Sequence, residues 1–435
     1  MQNSPPLLIL LPFVFMLASI AILPIIAPRY WHKDSRKFAI ALALGIPTAA
    51  WMLFTGLSSE LFHTMIFDYL PFIIMLGTLF VISGGIFVDI HSESKPWLNT
   101  TFLAVGALLA SFIGTTGASV LLIRPMLHLN KYRTKRIHTV LFFIAIVANC
   151  GGLLTPLGDP PLFLMYLRGV PFGWFLKLFP EWLFCNGILL FIYFFVDRYF
   201  YKKEDSGIKV IEKEIPKKFI IEGKVNFIWL AAAVVCVAIF NENTFPIILK
   251  YKYLSFIREI SLIILAYLSL KTTRHITRVA NGFEWATMRE VAIIFFGIFV
   301  TMVPCMLYLR SNAAALGIDS ATSYYFFTGL LSGFLDNTPT AAVFYSAALS
   351  IAQNNANSLI GIESVAGIQE SIMKAICLGS VFFGAMTYIG NGPNFMIKSI
   401  ATGMNIEMPH FFGYMLKFSL IVLLPVYILV QLLFL

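Results

Sequence analysis

The sequence predicts an all-α integral membrane protein made of two inverted repeats, each with about five transmembrane helices, one of them discontinuous, and one re-entrant helical hairpin. Three observations carry that prediction. Of 435 residues, 59% are hydrophobic and only 12% are charged, against about 25% charged in soluble domains. Apolar runs of about 20 residues, the length that spans a bilayer, recur along the chain. Two kinds of Gly/Pro-interrupted motif occur once in each half, at matching positions.

In the first half, apolar length and polar punctuation place segments at 7–27, 37–57, 69–88, 98–129, 137–168 and 174–197. In the second half they fall at 225–240, 255–270, 290–309, 322–350, 371–401 and 411–434. The N-terminal run lacks the positive n-region of a cleaved signal peptide and reads as a retained helix. The lists run in step, dividing the chain into a first repeat over 1–197, a charged linker over 198–224 and a second repeat over 225–435. The fourth segment of each half is too long for one span and is broken, at Gly114–Gly117 and at Asp336–Pro339. Each is expected to be a re-entrant hairpin, which membrane depth tolerates only where the tip is buried in protein or lines a cavity. The fifth segments are interrupted by T-P-L-G-D-P-P (Thr155 to Pro161) and T-Y-I-G-N-G-P (Thr387 to Pro393), as expected of discontinuous helices.

Loop charge orients this arrangement. With five crossings per half, 22 Lys and Arg residues fall in cytoplasmic loops or near cytoplasmic ends and 5 in outer loops, as the positive-inside rule requires. This places both termini outside and the linker in the cytoplasm, in a bacterial inner membrane. An odd number of crossings makes the repeats inverted. The net charge of +9 sits in these short loops, which excludes a nucleic-acid role. The five cysteines lie in or beside apolar segments with no CxxC pair, so neither a disulfide framework nor a metal site is expected. No GxxxxGK[ST], HExxH or GxSxG motif is present, which argues against an ATP-driven pump or a hydrolase and leaves no enzyme or cofactor to assign.

The strongest internal match sets Thr155 to Leu164 beside Thr387 to Met396 without gaps; Thr155/Thr387, Gly158/Gly390, Pro161/Pro393 and Phe163/Phe395 are identical pairs. Ser111 to Ser119 aligns with Gly333 to Ala341, where Phe112/Phe334 and Thr116/Thr338 are identical. Breaks of this kind can simply kink helices. Their occurrence in pairs points instead to half-helix ends and unwound carbonyls that hold ions. Thr116, Thr338, Asn337, Thr155, Thr387, Asn391 and Asn394 would add oxygen ligands for a sodium ion, the only metal expected.

Ionisable groups at membrane depth are costly and mark function. Asp159 lies in the first discontinuous helix and Asp336 at the second hairpin tip. Burial favours the neutral acid and a bound cation favours the anion, so such groups can trade a proton for sodium. Helix capping is the plainer role, and it is compatible with a site. Arg124 lies within the first hairpin, and two readings stay open: a charge partner for Asp159, or a side chain snorkelling to the cytoplasm. Lys398 follows the second break near a helix end and suits snorkelling. Glu60, Asp68, Asp89 and Glu181 sit near segment ends, where water is expected to solvate them.

N-C-G-G-L-L-T-P-L-G-D-P-P (Asn149 to Pro161), F-L-D-N-T-P-T (Phe334 to Thr340) and T-Y-I-G-N-G-P-N-F-M-I-K (Thr387 to Lys398) resemble the ion transporter superfamily, which includes NhaD-type sodium/proton antiporters, citrate and dicarboxylate carriers and arsenite permeases. The resemblance covers nearly the whole chain. It implies an inverted-repeat fold in which two hairpins meet two unwound helices, often in a homodimer with a separate scaffold region. Carboxylate carriers of this group typically carry Ser-Asn-Thr at both hairpin tips; here the tips read Gly114-Thr-Thr-Gly117 and Asp336-Asn-Thr-Pro339. That departure, with acidic Asp159 and Asp336, favours sodium (or lithium)/proton antiport with sodium and protons as partners. A sodium-coupled citrate or dicarboxylate carrier is the alternative, and a passive channel fits the duplicated broken helices less well.

Overall fold

The computed structural model describes residues 5–31, 33–204, 217–241, 244–245, 247–312, 317–354 and 363–435. They are mostly helical, because in lipid each backbone N–H and C=O needs a partner within its own segment. Among them, eight helical stretches are long and apolar enough to cross a membrane: Leu7–Pro24, Asp34–Phe54, Ser58–Ser83, Pro96–Ile113, Phe172–Lys203, Tyr253–Thr272, Trp285–Leu309 and Phe411–Phe434. Ile137–Leu153 and Val225–Ile239 are apolar but shorter.

The helices used below are α1 (Leu11–Ile26), α2 (Asp34–Phe54), α3 (Ser58–Thr64), α4 (Leu70–Ser83), α5 (Pro96–Ile113), α6 (Thr115–Leu129), α7 (Ile137–Ile146), α8 (Pro160–Leu167) and α9 (Phe179–Lys203). In the second half they are α10 (Val225–Ile239), α11 (Phe256–Thr272), α12 (His275–Ala280), α13 (Trp285–Asn312), α14 (Ala321–Phe334), α15 (Asn337–Asn354), α16 (Glu370–Phe383), α17 (Gly392–Gly403) and α18 (Leu424–Phe434). A π-helical turn, Met65–Tyr69, joins α3 to α4.

The long segments are each divided where expected. A single residue, Gly114, separates α5 from α6, and Leu335 and Asp336 separate α14 from α15. Short 3₁₀ turns at Cys150–Leu153 and Gly384–Met386 precede the restarts at α8 and α17. The two halves pack reciprocally: α6 of the first lies against α17 of the second, and α15 of the second lies against α8 of the first. Small residues allow α14 and α16 to approach closely. A Cβ added at Gly379 would fall 2.6 Å from Tyr325 O, and one at Gly329 2.6 Å from the Phe383 ring. Such glycine contacts replace the hydrophobic drive that lipid removes.

Two expectations need correction, the helix over 69–88 and the solvation of Asp68 and Glu181. The segment expected over 69–88 is not one helix: α4 stops at Ser83, and Gly84 and Gly85 lead into strand β1 (Phe87–His91). Within the charged linker 198–224, α9 continues to Lys203 and Lys218–Glu222 form β2, antiparallel to β1 with Phe87 opposite Glu222; residues 205–216 of it lie outside the described residues. Aromatic contacts extend α9, with Phe200 stacked on His138 at 4.8 Å and Tyr201 beneath the Arg133 guanidinium at 4.9 Å. Asp68 and Glu181 are buried rather than solvated, at 2% and 1% exposure. Each has a cation: Arg168 Nη2 lies 2.7 Å from Asp68 Oδ2, and Lys374 Nζ 2.7 Å from Glu181 Oε1.

A buried polar cluster ties α9 to α5 and to the loop before α7. Asp197 Oδ1 receives Arg133 Nη1 at 2.6 Å and faces His138 Nε2 at 2.8 Å, while its Oδ2 accepts from Asn99 Nδ2 at 3.1 Å. Arg133 also donates to Ser94 Oγ at 2.9 Å. Removing one partner of a buried pair leaves an uncompensated charge and costs about 3–5 kcal/mol. Asp197→Ala should therefore lower the melting temperature of the detergent-solubilised protein sharply, whereas Lys177→Ala, which removes an exposed partner of Glu370, should move it little. Equal melting of wild type and Asp197→Ala would show that the cluster is not a structural anchor.

Candidate functional site

Four helices begin beside one another in the protein interior. Gly114 ends α5 and caps α6 with φ +79°, a left-handed conformation in which a side chain would be strained. Asp159 caps α8 with φ −145° and ψ 144°, and Asn391 caps α17 with φ −147° and ψ 139°, so the two restarts have the same local backbone. Prolines at the first turn of each, Pro160 and Pro161 in α8 and Pro393 in α17, have no N–H to leave unsatisfied there.

The same hydroxyl holds each break. Thr155 Oγ1 donates to Ser111 O, at the end of α5, and accepts from Leu157 N at 3.2 Å. Thr387 Oγ1 donates to Gly333 O, at the end of α14, at 2.5 Å, and accepts from Ile389 N and Gly390 N, both at 3.1 Å. Glycine is needed where each chain folds back on its 3₁₀ turn. A Cβ at Gly158 would lie 2.0 Å from Gly152 O, and one at Gly390 2.6 Å from Gly384 O.

Asp159 is the hub. Its Oδ1 accepts from Thr115 Oγ1 at 2.6 Å and Asn391 Nδ2 at 3.1 Å, and its Oδ2 accepts from Asn337 Nδ2 at 2.5 Å. Thr115 N also donates to Gly158 O at 2.7 Å. These contacts join the first residues of α6 and α15 to the caps of α8 and α17. The carboxylate is fully buried, and among the described residues it makes no ion pair. A buried charge without a counter-ion is expensive; here it accepts three side-chain hydrogen bonds and lies among the starts of four helices, whose positive ends favour a negative charge.

Amides extend the hub across both halves. Asn149 Oδ1 accepts from Asn391 Nδ2 at 3.2 Å, and Asn149 Nδ2 donates to Asn394 Oδ1 at 2.8 Å. Asn394 in turn donates to the carbonyls of Gly384 at 2.8 Å and Thr387 at 2.9 Å, groups freed by the second break. Asn337, Asn391, Asn394, Thr155 and Thr387 are thus in or beside the cluster.

The remaining predicted residues lie around it. Asp336 is half-buried and caps α15, accepting from Thr338 N at 3.0 Å through Oδ1. Thr338 Oγ1 lies 3.4 Å from Asn337 Oδ1. Thr116 borders a small cavity of about 30 Å³ between the first hairpin tip, Pro160 and α13. Arg124 Nη1 donates to Asn281 O at 2.9 Å, and a Cβ on Gly282 would meet its guanidinium at 2.6 Å, so Arg124 is bonded to the loop after α12 rather than to Asp159. Lys398 Nζ lies 4.5 Å over the Tyr388 ring. Sequence reasoning passed over Thr115, Ser111 and Asn149. Thr115 aligns with Asn337, which offered a signal; Asn149 lies within a quoted motif, but nothing local to it marks its bond to Asn394, 245 residues away.

The glycine contacts make a graded test. Gly158→Ala and Gly390→Ala each force a Cβ against backbone, an overpacking that costs about 1–3 kcal/mol or more, whereas a Cβ at Gly392 meets nothing within 4 Å. Size-exclusion profiles and melting curves should show loss of folded protein for the first two and little change for Gly392→Ala. Normal melting of Gly158→Ala would contradict the close approach at the first break.

A family model described as "Putative citrate transport" matches residues 2–435. A comparison with curated proteins finds no match. The matched region takes in all four helix starts and every residue of the hub, and the chain accordingly belongs to this citrate transport family of secondary transporters, within the ion transporter superfamily.

Proposed function

We propose that the protein is a cation-coupled carrier of citrate or a related di- or tricarboxylate, with Asp159 at its central site. One observation supports this above the others: four helices start around a single buried carboxylate, which accepts side-chain hydrogen bonds from Thr115, Asn337 and Asn391 and has no cationic partner among the described residues. Helix N-termini favour anions. The acidic residues that pointed from sequence toward sodium/proton exchange are only part of the field. Four N-termini are equivalent to about two positive charges, close to the charge of ionised Asp159 and Asp336 together. A sodium ion or proton taken up beside Asp159 leaves the site net positive, and the substrate carboxylate then completes the charge balance. Coupling follows from that sequence, because neither charge is stable there alone.

The family described for this chain supports the carboxylate reading over antiport. Sodium/proton exchange is the second reading, favoured by the lack of an ion pair at Asp159 and Asp336 among the described residues, since a carboxylate at this depth needs a proton or a cation. Both readings use alternating access, for which we take the halves to be inverted repeats with hairpins at α5–α6 and α14–α15. Matched cap dihedrals, the shared threonine bonds and the reciprocal packing of α6 on α17 and α15 on α8 support that arrangement. Loop charge supports termini outside and a cytoplasmic linker.

Proteoliposomes should take up labelled citrate when an inward sodium or proton gradient is imposed. Asp159→Asn keeps the shape of the hub but removes its exchangeable charge. It should lower gradient-driven uptake at least about tenfold, the effect of losing some 1.4 kcal/mol of binding. Sodium-dependent proton movement in the same vesicles, with no uptake of citrate or succinate, would refute the carboxylate reading in favour of exchange.

A further inference from the structure

Two cavities meet at the end of α8 remote from Asp159. One, of about 330 Å³, is lined by Asp68, Tyr166, Arg168, Ser255 and Arg258 among others; the second, of about 300 Å³, is lined by Glu60, Thr64 and Met306; His63 and Arg168 border both. Because Asp159 caps one end of the eight-residue α8 and Arg168 the other, this vestibule lies about 12 Å from the central carboxylate along the helix axis. Each cavity is within the size range of small-molecule sites.

Two guanidiniums border the larger cavity, from parts of the sequence 90 residues apart. Arg258 is only 5% exposed; its Nε lies 2.8 Å from Glu259 Oε1 and its Nη1 3.4 Å from Tyr166 Oη, which itself donates to Val237 O at 2.7 Å. That set of bonds fixes Arg258. Arg168 is held differently, through Nη2 to Asp68 Oδ2 at 2.7 Å, at the junction of the cavities. Asp68 lies in the π-helical turn Met65–Tyr69, a feature that re-aims side chains and recurs at functional sites. Arginine's planar fork matches a carboxylate bidentately. An incoming carboxylate that replaces that of Asp68 keeps Arg168 paired, and the displaced Asp68, itself buried, is then neutralised by a proton.

We propose that the paired cavities are an entry vestibule for a di- or tricarboxylate and that Arg168 is its capture residue. The substrate exchanges one carboxylate for that of Asp68 at Arg168, while Arg258 attracts a second. The anion then moves along α8 to the site at Asp159. This proposal rests on the carboxylate reading of the central site.

The two members of the ion pair give the test, because capture predicts opposite effects for them. In proteoliposomes, Arg168→Gln should raise KM for citrate about tenfold or more and leave kcat within about a factor of two, with Arg168→Lys recovering part of the loss. Asp68→Asn removes the internal competitor and should lower KM. A purely structural pair predicts that both substitutions impair transport together. Unchanged KM in Arg168→Gln, or raised KM in Asp68→Asn, overturns the vestibule and leaves the central carrier intact. Wild-type protein that neither takes up labelled citrate nor binds it in detergent overturns the carrier reading and the vestibule with it. If Arg168→Gln does not fold, Arg168→Lys and Asp68→Asn decide the matter by the same signs.

Discussion

The bonds that Asp159 accepts from Thr115, Asn337 and Asn391 hold the interior of this protein together. Each helix start leaves backbone N–H groups without intrahelical partners, and lipid offers none. Four starts placed apart would multiply that cost. Gathered around one carboxylate, they are tied together by the side-chain bonds that its two oxygens accept, and Thr115 N finds its partner in Gly158 O. The Gly158 and Gly390 contacts, the threonine bonds to Ser111 O and Gly333 O, and the reciprocal packing of the halves all serve to bring the four ends to that point.

Much of this was legible in the amino-acid sequence because lipid restricts what a broken helix can do. Thr155 and Thr387, and Gly158 and Gly390, recur at a constant spacing since each pair answers the same local requirement, a hydroxyl that reaches a neighbouring helix end and a backbone contact too close for a Cβ. The hairpin breaks were equally visible, as Gly114 and Asp336 are poor choices inside a continuous apolar helix. What escaped depends on distance in sequence. Thr115, not its neighbour Thr116, faces Asp159, a difference of one residue that helix phase decides and composition does not. Asp68 and Glu181 looked solvated because their cations, Arg168 and Lys374, lie 100 and 193 residues away.

The direction of the central field was also illegible from side chains alone. Asp159 and Asp336 suggest a negative site when formal charges are counted. Helix N-termini carry no letter in a sequence, and four of them amount to about two positive charges, enough to offset both acids. That omission is what separates the antiport expectation from the carboxylate reading proposed above, which the family description favours.

The halves share a backbone plan but not a charge plan, and the difference has a physical reason. Asn391 occupies in α17 the position that Asp159 holds in α8, and its Nδ2 donates to Asp159 Oδ1. An aspartate in its place could donate only when protonated, and two carboxylates at hydrogen-bond distance cannot both ionise. A symmetric site would thus trap a shared proton. With an amide on one side and an acid on the other, a single charge is held by fixed donors, and any proton or cation that neutralises it can leave again. The duplicated breaks build the cage, and in the carrier proposed above Asp159, opposite an amide, is the exchangeable charge for coupling.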